Sequence, residues 1–266
     1  MFWKEKKFTK EIASNEFNKL DNKLKQLAVC ISNNHQYKGE KQLFVDVTQL
    51  VVVDSNSGIQ RVVKSILNEL LLNPPKGYRI EPVYSSIDNT GYKYAKNFTY
   101  KFLNIKDVPI SEEVIDFKKD DIFLGLDLAQ HIVISNKDYY KYLQAFGVKT
   151  YFIVYDLLPI FYDEYFPKEW LLKETHTNWL KVIKESNGAI CISKAIENEL
   201  KQWLQTNPSN NKRFFTNSFH LGANLENSKP TKGLLSNSNK ILNFLSQRTS
   251  FLMVGTIEPR KSYNQT

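Results

Sequence analysis

Three short stretches carry residue types that could do chemistry. In Ser57-Gly58-Ile59-Gln60-Arg61 a serine, a glycine and an arginine fall where an apolar run gives way to a helical pattern. A glycine there lets a ligand approach the backbone. The amide groups of a helix start favour anions, and a guanidinium can grip a phosphate through two hydrogen bonds. The alternative is a plain capped helix with Arg61 in a surface ion pair, since one glycine is neither a dinucleotide fingerprint nor a P-loop. Asp156, in Tyr155-Asp156-Leu157-Leu158-Pro159, ends a strongly apolar run. Its carboxylate could accept hydrogen bonds from sugar hydroxyls, act as a base, or cap the turn that the proline announces. Asp127 stands in the same relation to Ile122-Phe123-Leu124-Gly125-Leu126. Arg260 and Lys261, in Glu258-Pro259-Arg260-Lys261, put adjacent cations beyond the last apolar run. They suit either a diphosphate or a solvated loop.

Other chemistries lack their residues. His35, His131, His176 and His220 lie far apart, and none has a metal-ligand spacing to a neighbouring His, Cys, Asp or Glu, so no metal is expected. Such isolated histidines read as structural residues. There is no Gly-x-Ser-x-Gly elbow, and neither Cys30 nor Cys191 has a papain-like context. The two cysteines read as reduced thiols of a cytosolic protein.

The elements that must position these residues alternate along the chain. Short apolar runs at Leu43–Val47, Tyr78–Tyr84, Ile122–Leu126, Tyr151–Tyr155, Ala189–Ile192, Phe214–Phe219 and Phe251–Gly255 read as strands. Apolar residues at helical spacing follow several of them. Ile59, Val62, Val63, Ile66, Leu67 and Leu70 share a face before Pro74-Pro75; Lys137–Phe146, Lys168–Glu185 and Ala195–Leu204 read as further helices, the last capped by Ser193. Residues 85–119 read as irregular and 222–239 as a linker rich in Asn, Ser and Lys. Strands alternating with helices imply an α/β fold, a parallel sheet with helices on both faces. Ligands of such sheets bind beyond the carboxyl ends of the strands, which places Gly58, Asp127, Asp156 and Ser193 along one rim.

Length and composition narrow the class. The 266 residues include 17 Phe, 14 Tyr and 4 Trp, enough aromatic mass for a packed core and too much for a disordered chain. No apolar run reaches the ~18 residues of a membrane span, and the start, Met1-Phe2-Trp3-Lys4, does not read as a secretory signal. A cytoplasmic location, or the inner face of a membrane, is therefore expected. The net charge is +8, and the first 41 residues hold nine lysines against five acids. That segment reads as a helix over 1–30, with Phe8, Ile12, Phe17, Leu20, Leu24 and Leu27 as its apolar residues. It could lie on a membrane, meet a partner, or pack on the domain. No dense basic block interleaved with aromatics points to nucleic acid.

In order along the chain, several stretches resemble one family. They are Phe44-Val45-Asp46-Val47-Thr48, Asp54 with Ser57-Gly58-Ile59-Gln60-Arg61-Val62-Val63, Asp127, Tyr155-Asp156-Leu157-Leu158-Pro159-Ile160 with Tyr165-Phe166-Pro167, Ile190-Cys191-Ile192-Ser193, His220-Leu221-Gly222-Ala223, and Met253-Val254-Gly255-Thr256-Ile257-Glu258-Pro259-Arg260-Lys261. Together they look like the retaining GT-B glycosyltransferases of family 4, in the subgroup of bacterial polysaccharide and O-antigen mannosyltransferase-like enzymes. The resemblance covers residues 42–266, and its last stretch is the most specific.

The resemblance implies two Rossmann-like domains facing across a cleft, the first taking a saccharide or lipid-linked saccharide acceptor and the second a nucleotide-sugar donor. It implies no cofactor and no metal. Gly58, Asp127, Tyr155 and Asp156 would line the acceptor and sugar side, while Arg260 and Lys261 would hold the donor diphosphate. No catalytic residue is assigned. Many members place a sugar-contacting histidine where this chain has Tyr155, which can hydrogen-bond but does not titrate near neutrality. The paired glutamates of the family's second domain find no match here.

The expected organisation is a helical leader and linker over 1–40, a Rossmann-like acceptor-side domain over 41–221, a linker over 222–248, and the start of a donor-binding domain over 249–266. On this reading the chain is the N-terminal portion of a sugar transferase, inactive alone, with a peripheral membrane contact and no nucleic-acid partner. The alternative is a non-catalytic module that binds a glycan or a partner.

Overall fold

A computed structural model of the chain describes residues 40–55, 57–104, 111–222, 236–251, 253, 255 and 261. The expected leader helix over 1–30 and Arg260 lie outside the described residues.

Strand β1 (Lys41–Asp46) begins the sheet, and the short helix α1 (Thr48–Val52) follows it directly. Next come α2 (Gly58–Leu72), β2 (Tyr78–Ser86), β3 (Asn89–Tyr94) and α3 (Lys96–Phe102). The second half runs through β4 (Ile122–Gly125), α4 (Gln130–Ser135), α5 (Lys137–Ala145), β5 (Lys149–Val154) and α6 (Leu158–Phe161). It ends with α7 (Leu172–Ile183), β6 (Gly188–Cys191), α8 (Lys194–Thr206), β7 (Phe215–Ser218) and α9 (Ser238–Ser246). The seven strands form one open sheet in the order β3-β2-β1-β4-β5-β6-β7, parallel throughout except for the antiparallel β2–β3 pair. This is an α/β sheet of the Rossmann-like kind. Its order reverses at β1, which has β2 on one side and β4 on the other, and such a switch point opens a crevice at the carboxyl edge.

Alternation along each strand divides the core. Phe44, Phe123, Phe152 and Val154 face one way and meet Val133 of α4, Tyr140 and Leu143 of α5, and Trp179 and Leu180 of α7. Leu43, Val45, Ile153 and Tyr155 face the other way and meet Leu50 of α1 and Val63 and Leu67 of α2. With both faces covered, the central strands read as continuous apolar runs. Each fully buried Phe or Leu contributes about 1.5–3 kcal/mol relative to exposure.

Several expected elements are corrected. Residues 85–119 are not irregular throughout: a hairpin turns at Ile87-Asp88 and pairs β2 with β3. The turn contains no glycine and neither central residue has positive φ, so the usual sequence signal of a two-residue hairpin is missing. The pairing register shifts between Tyr84 and Ser86. The helix expected from Lys168 begins at Leu172, because Leu171 adopts a left-handed conformation at φ 48° and breaks the run. The linker expected over 222–248 contains α9. Of the strand expected over Phe251–Gly255, Leu252 and Val254 lie outside the described residues; Phe251, Met253 and Gly255 pair with no strand, and Phe251 is 96% exposed. An apolar run becomes a strand only where a neighbour supplies hydrogen bonds. No helix among the described residues is long and apolar enough to cross a membrane.

Candidate functional site at the carboxyl edge of the sheet

The crevice is framed first by the chain leaving β1. Val47 carries the strand into α1, and Ser57 stands at the start of α2. Gln60, itself buried, reaches back to Val53 and Ser55: its side-chain amide donates to the Val53 carbonyl at 2.5 Å, and its Oε1 accepts from Ser55 Oγ at 2.8 Å. Ser57 caps α2 by accepting from the Gln60 backbone at 3.3 Å. Gly58, the first helical residue, is exposed, and a Cβ built there would meet nothing within 4 Å. Among the described residues the space beside Gly58 is therefore open, at the positive end of this 15-residue helix, where Ser57 satisfies one of the first amides. Arg61 is exposed one turn along.

Asp127 and Tyr155 lie a layer deeper. Asp127 is 4% exposed, and both its carboxylate oxygens are engaged: Oδ2 accepts from Leu50 N at 2.7 Å and Oδ1 from Leu128 N at 2.9 Å. Its backbone N–H donates to the Asp46 carbonyl at 3.1 Å, which ties the ends of β1 and β4 together. Burial raises its pKa, against hydrogen bonds that hold it down. Tyr155 is buried, and its hydroxyl donates to the Leu126 carbonyl at 2.7 Å. These two residues fix α1 and the β4–β5 edge beneath the crevice.

Asp156 is half-buried and keeps more of its side chain toward solvent. Its Oδ1 accepts from Leu158 N at 3.2 Å, the turn-capping role open to an Asp before Pro159. Its carbonyl is held by His176 of α7, whose Nε2 lies 2.9 Å away. A carbonyl can only accept, so Nε2 carries the proton, and Nδ1 accepts from the Gln130 amide at 2.5 Å. Burial lowers the pKa of His176, so the ring is neutral near pH 7. Nothing local in the sequence marks His176 for this role, which depends on α7 packing against α4.

Glu199 of α8 is a second carboxylate that feels Asp156. Burial first and the Asp156 charge second raise its pKa. Its Oε2 is buried without a hydrogen-bond partner among the described residues. Sequence reading passed over it because it sits inside an ordinary amphipathic helix. The loop after β5 adds exposed rings, with Tyr162 43%, Tyr165 46% and Trp170 63% exposed. At the next strand, Ser193 caps α8 by accepting from Ile196 N at 3.3 Å. Glu197 accepts from Lys194 at 2.8 Å, Lys201 at 2.6 Å and Ser218 at 2.8 Å, and these hydrogen bonds lower its pKa to about 2. Cys191, buried at the end of β6, has its thiol pushed up to about 12 by burial and is unreactive.

The carboxyl edge thus presents Gly58, Asp156 and Glu199 with a supporting layer of Asp127, Tyr155 and His176. Lys261 is exposed. The arrangement offers amide donors for anionic groups, carboxylates for hydroxyls and aromatic faces for pyranose rings.

No family model matches the chain, and no solved structure matches it. Among curated proteins it is similar to serotype-specific mannosyltransferases WbdA of Escherichia coli. One is 33% identical over 244 residues, covering 90% of this chain and 29% of the relative. Two others are each 31% identical over 247 residues, covering 90% of this chain and 28% or 29% of the relative. The chain therefore spans less than a third of the length of the curated relatives it matches.

Proposed function

We propose that the chain is the acceptor-side portion of a retaining glycosyltransferase of the GT-B type. The enzyme would move a sugar, mannose on this reading, from a nucleotide donor to a saccharide in cell-surface polysaccharide synthesis. The likeness to the mannosyltransferases over 90% of the chain carries this reading. The open start of α2 beside the carboxyl edge supports it.

In the reaction the bond between the anomeric carbon and the diphosphate oxygen breaks. An acceptor hydroxyl oxygen bonds to that carbon, the hydroxyl proton passes to the departing diphosphate oxygen, and configuration is retained. Asp156 and Glu199 would accept hydrogen bonds from acceptor hydroxyls, and Trp170 and Tyr165 would stack on the sugar rings. Gly58 would let the transferred sugar and its phosphates approach the α2 amides. Asp127 and Tyr155 would act from beneath, holding the loops that touch sugar. Arg260 and Lys261 would neutralise the leaving diphosphate without a metal. The acceptor would be a saccharide or lipid-linked saccharide presented at the inner face of a membrane, with the protein in peripheral contact.

We also propose that these 266 residues do not complete transfer alone. A nucleotide sugar needs a second wall, and the described residues form a single sheet with its own helices. Titrating the purified chain with a mannose oligosaccharide, by saturation-transfer NMR, is expected to show binding. Asp156→Asn should weaken it several-fold. Absence of saccharide binding would overturn the acceptor-side assignment, and turnover of a nucleotide-activated mannose by the chain alone would overturn the proposed incompleteness.

A further inference from the structure

The opposite edge of the sheet carries a second concave surface. Lys149 opens β5, Asn187 immediately precedes β6, and Lys212 and Arg213 precede β7. Because the three strands are parallel neighbours, the residues entering them converge at the amino edge, the far end from Gly58 and Asp156. They border a hollow of about 720 Å³ whose wall is completed by Lys141 and Gln144 of α5 and by Glu185. A smaller hollow of about 310 Å³ shares Lys141 and Glu185 and adds Lys137 and Lys181.

Charge in the larger hollow is unbalanced. Four cations face it against one carboxylate, and that carboxylate is occupied. Asn210 donates to Glu185 Oε1 at 3.1 Å, and Lys184 Nζ lies 4.0 Å from the same oxygen. Lys141 is paired with Asp138 at 2.9 Å. Among the described residues, Lys149, Lys212 and Arg213 have no carboxylate within ion-pair distance. The frame that carries them is stitched internally. Gln144 donates to Thr150 Oγ1 at 2.7 Å, Asn187 Oδ1 accepts from Thr150 N at 2.8 Å, and Asn211 donates to the Ser186 carbonyl at 2.7 Å. Ser209 donates to the Lys184 carbonyl and closes the loop before β7. The cations therefore project from fixed backbone around a cavity. No aromatic side chain lines it, which argues against stacked bases.

We propose that this hollow binds a phosphate-bearing ligand through Lys149, Lys212 and Arg213. Ammonium and guanidinium groups held at a concave, amide-lined surface match the charge and oxygens of a phosphate. The phosphate could belong to a soluble compound or to a lipid headgroup, and the two sources separate experimentally.

The test uses the full chain and the variant Lys149→Ala/Lys212→Ala/Arg213→Ala, whose replaced residues are all exposed. Unchanged circular dichroism and melting temperature establish that the variant folds. Pyrophosphate is titrated by calorimetry, and phosphatidylglycerol vesicles are compared with phosphatidylcholine vesicles by co-sedimentation. Binding to at least one probe is expected, weakened tenfold or more in the variant and falling with added salt. Pyrophosphate binding without vesicle binding identifies a soluble ligand; vesicle binding identifies the headgroup. Failure of both probes to bind, or equal binding by the variant, overturns the proposal. Equal binding by the variant, whose changes all lie at the amino edge, overturns this proposal alone, whereas the transferase reading stands or falls on saccharide binding and Asp156→Asn.

Discussion

Asp46 ends β1 with its carboxylate completely buried. Oδ1 accepts from Thr48 N at 2.9 Å and Thr48 Oγ1 at 2.5 Å, and Tyr92 donates to Oδ2 at 3.1 Å. Burial, with a smaller push from Asp127, raises its pKa to about 7. In the unfolded chain the same group titrates near 3.9. The folded state therefore holds a proton that the unfolded state has released, and stability falls as pH rises from about 4 to 7. Asp46→Asn keeps an acceptor for Thr48 and offers a donor to the Tyr92 oxygen. It should flatten this slope and raise unfolding free energy at pH 8 by roughly 2–4 kcal/mol, measured by urea titration at several pH values. At the candidate site, His176→Ala removes the donor to the Asp156 carbonyl and leaves a cavity beside Trp179, which it meets edge-on at 4.9 Å. A loss of about 2–3 kcal/mol in stability is expected. Saccharide binding should weaken even where the variant is fully folded, because Asp156 loses its anchor. The placement of Gly58 and Asp156 at the carboxyl edge was legible in the sequence because strand ends bordered by polar residues mark that edge. The burial of Asp127 and Tyr155 was not, since it depends on Leu50 and Leu126 closing over them from other elements. Glu199 gave no signal because its helix has the pattern of any amphipathic one.

At the scale of elements, the hairpin shows what apolar periodicity cannot convey. Strands β1, β4, β5 and β6 are apolar runs because both their faces are covered, and such runs are readable. Strand β3, Asn-Thr-Gly-Tyr-Lys-Tyr, is polar and aromatic, and side-chain hydrogen bonds hold it instead. Asn136 accepts from Gly91 N at 2.7 Å, Ser85 donates to the Gly91 carbonyl at 2.7 Å, and Tyr92 pairs with Tyr140 at 2.7 Å. Gly91 itself sits at φ +95°, and an added Cβ would lie 3.2 Å from the Tyr139 ring. Gly91→Ala should therefore cost about 1–3 kcal/mol and raise amide exchange first in β3, as read by native-state hydrogen exchange. The start of α7 was hidden too, because a left-handed leucine at 171 leaves no compositional trace.

For the whole molecule, opposing titrations shape stability against pH. Asp46 stabilises the fold as pH falls from 7 toward 4. Glu197, with its pKa lowered to about 2, stabilises it above the ordinary glutamate range and loses that contribution as pH falls from about 4.5 toward 2. Buried His176, held below the ordinary imidazole range, adds stability as pH rises toward 6.5 and so opposes Asp46 over the same interval. At moderate salt, where the net positive charge is screened, Asp46→Asn should therefore make the melting temperature rise more steeply between about pH 4.5 and 7 than it does in the unaltered chain. Equal slopes for the two proteins over that interval would contradict this. The strand order has a further consequence, for the ribosome. Strand β1 is the first strand of the described sheet to be synthesised, yet it lies between β2 and β4, and β4 ends only at Gly125. At about 5–20 residues per second, the β1 edge that awaits β4 stays open for several seconds during translation. Nascent chains halted before β4 should therefore recruit holdase chaperones, and chains halted after α7 should release them.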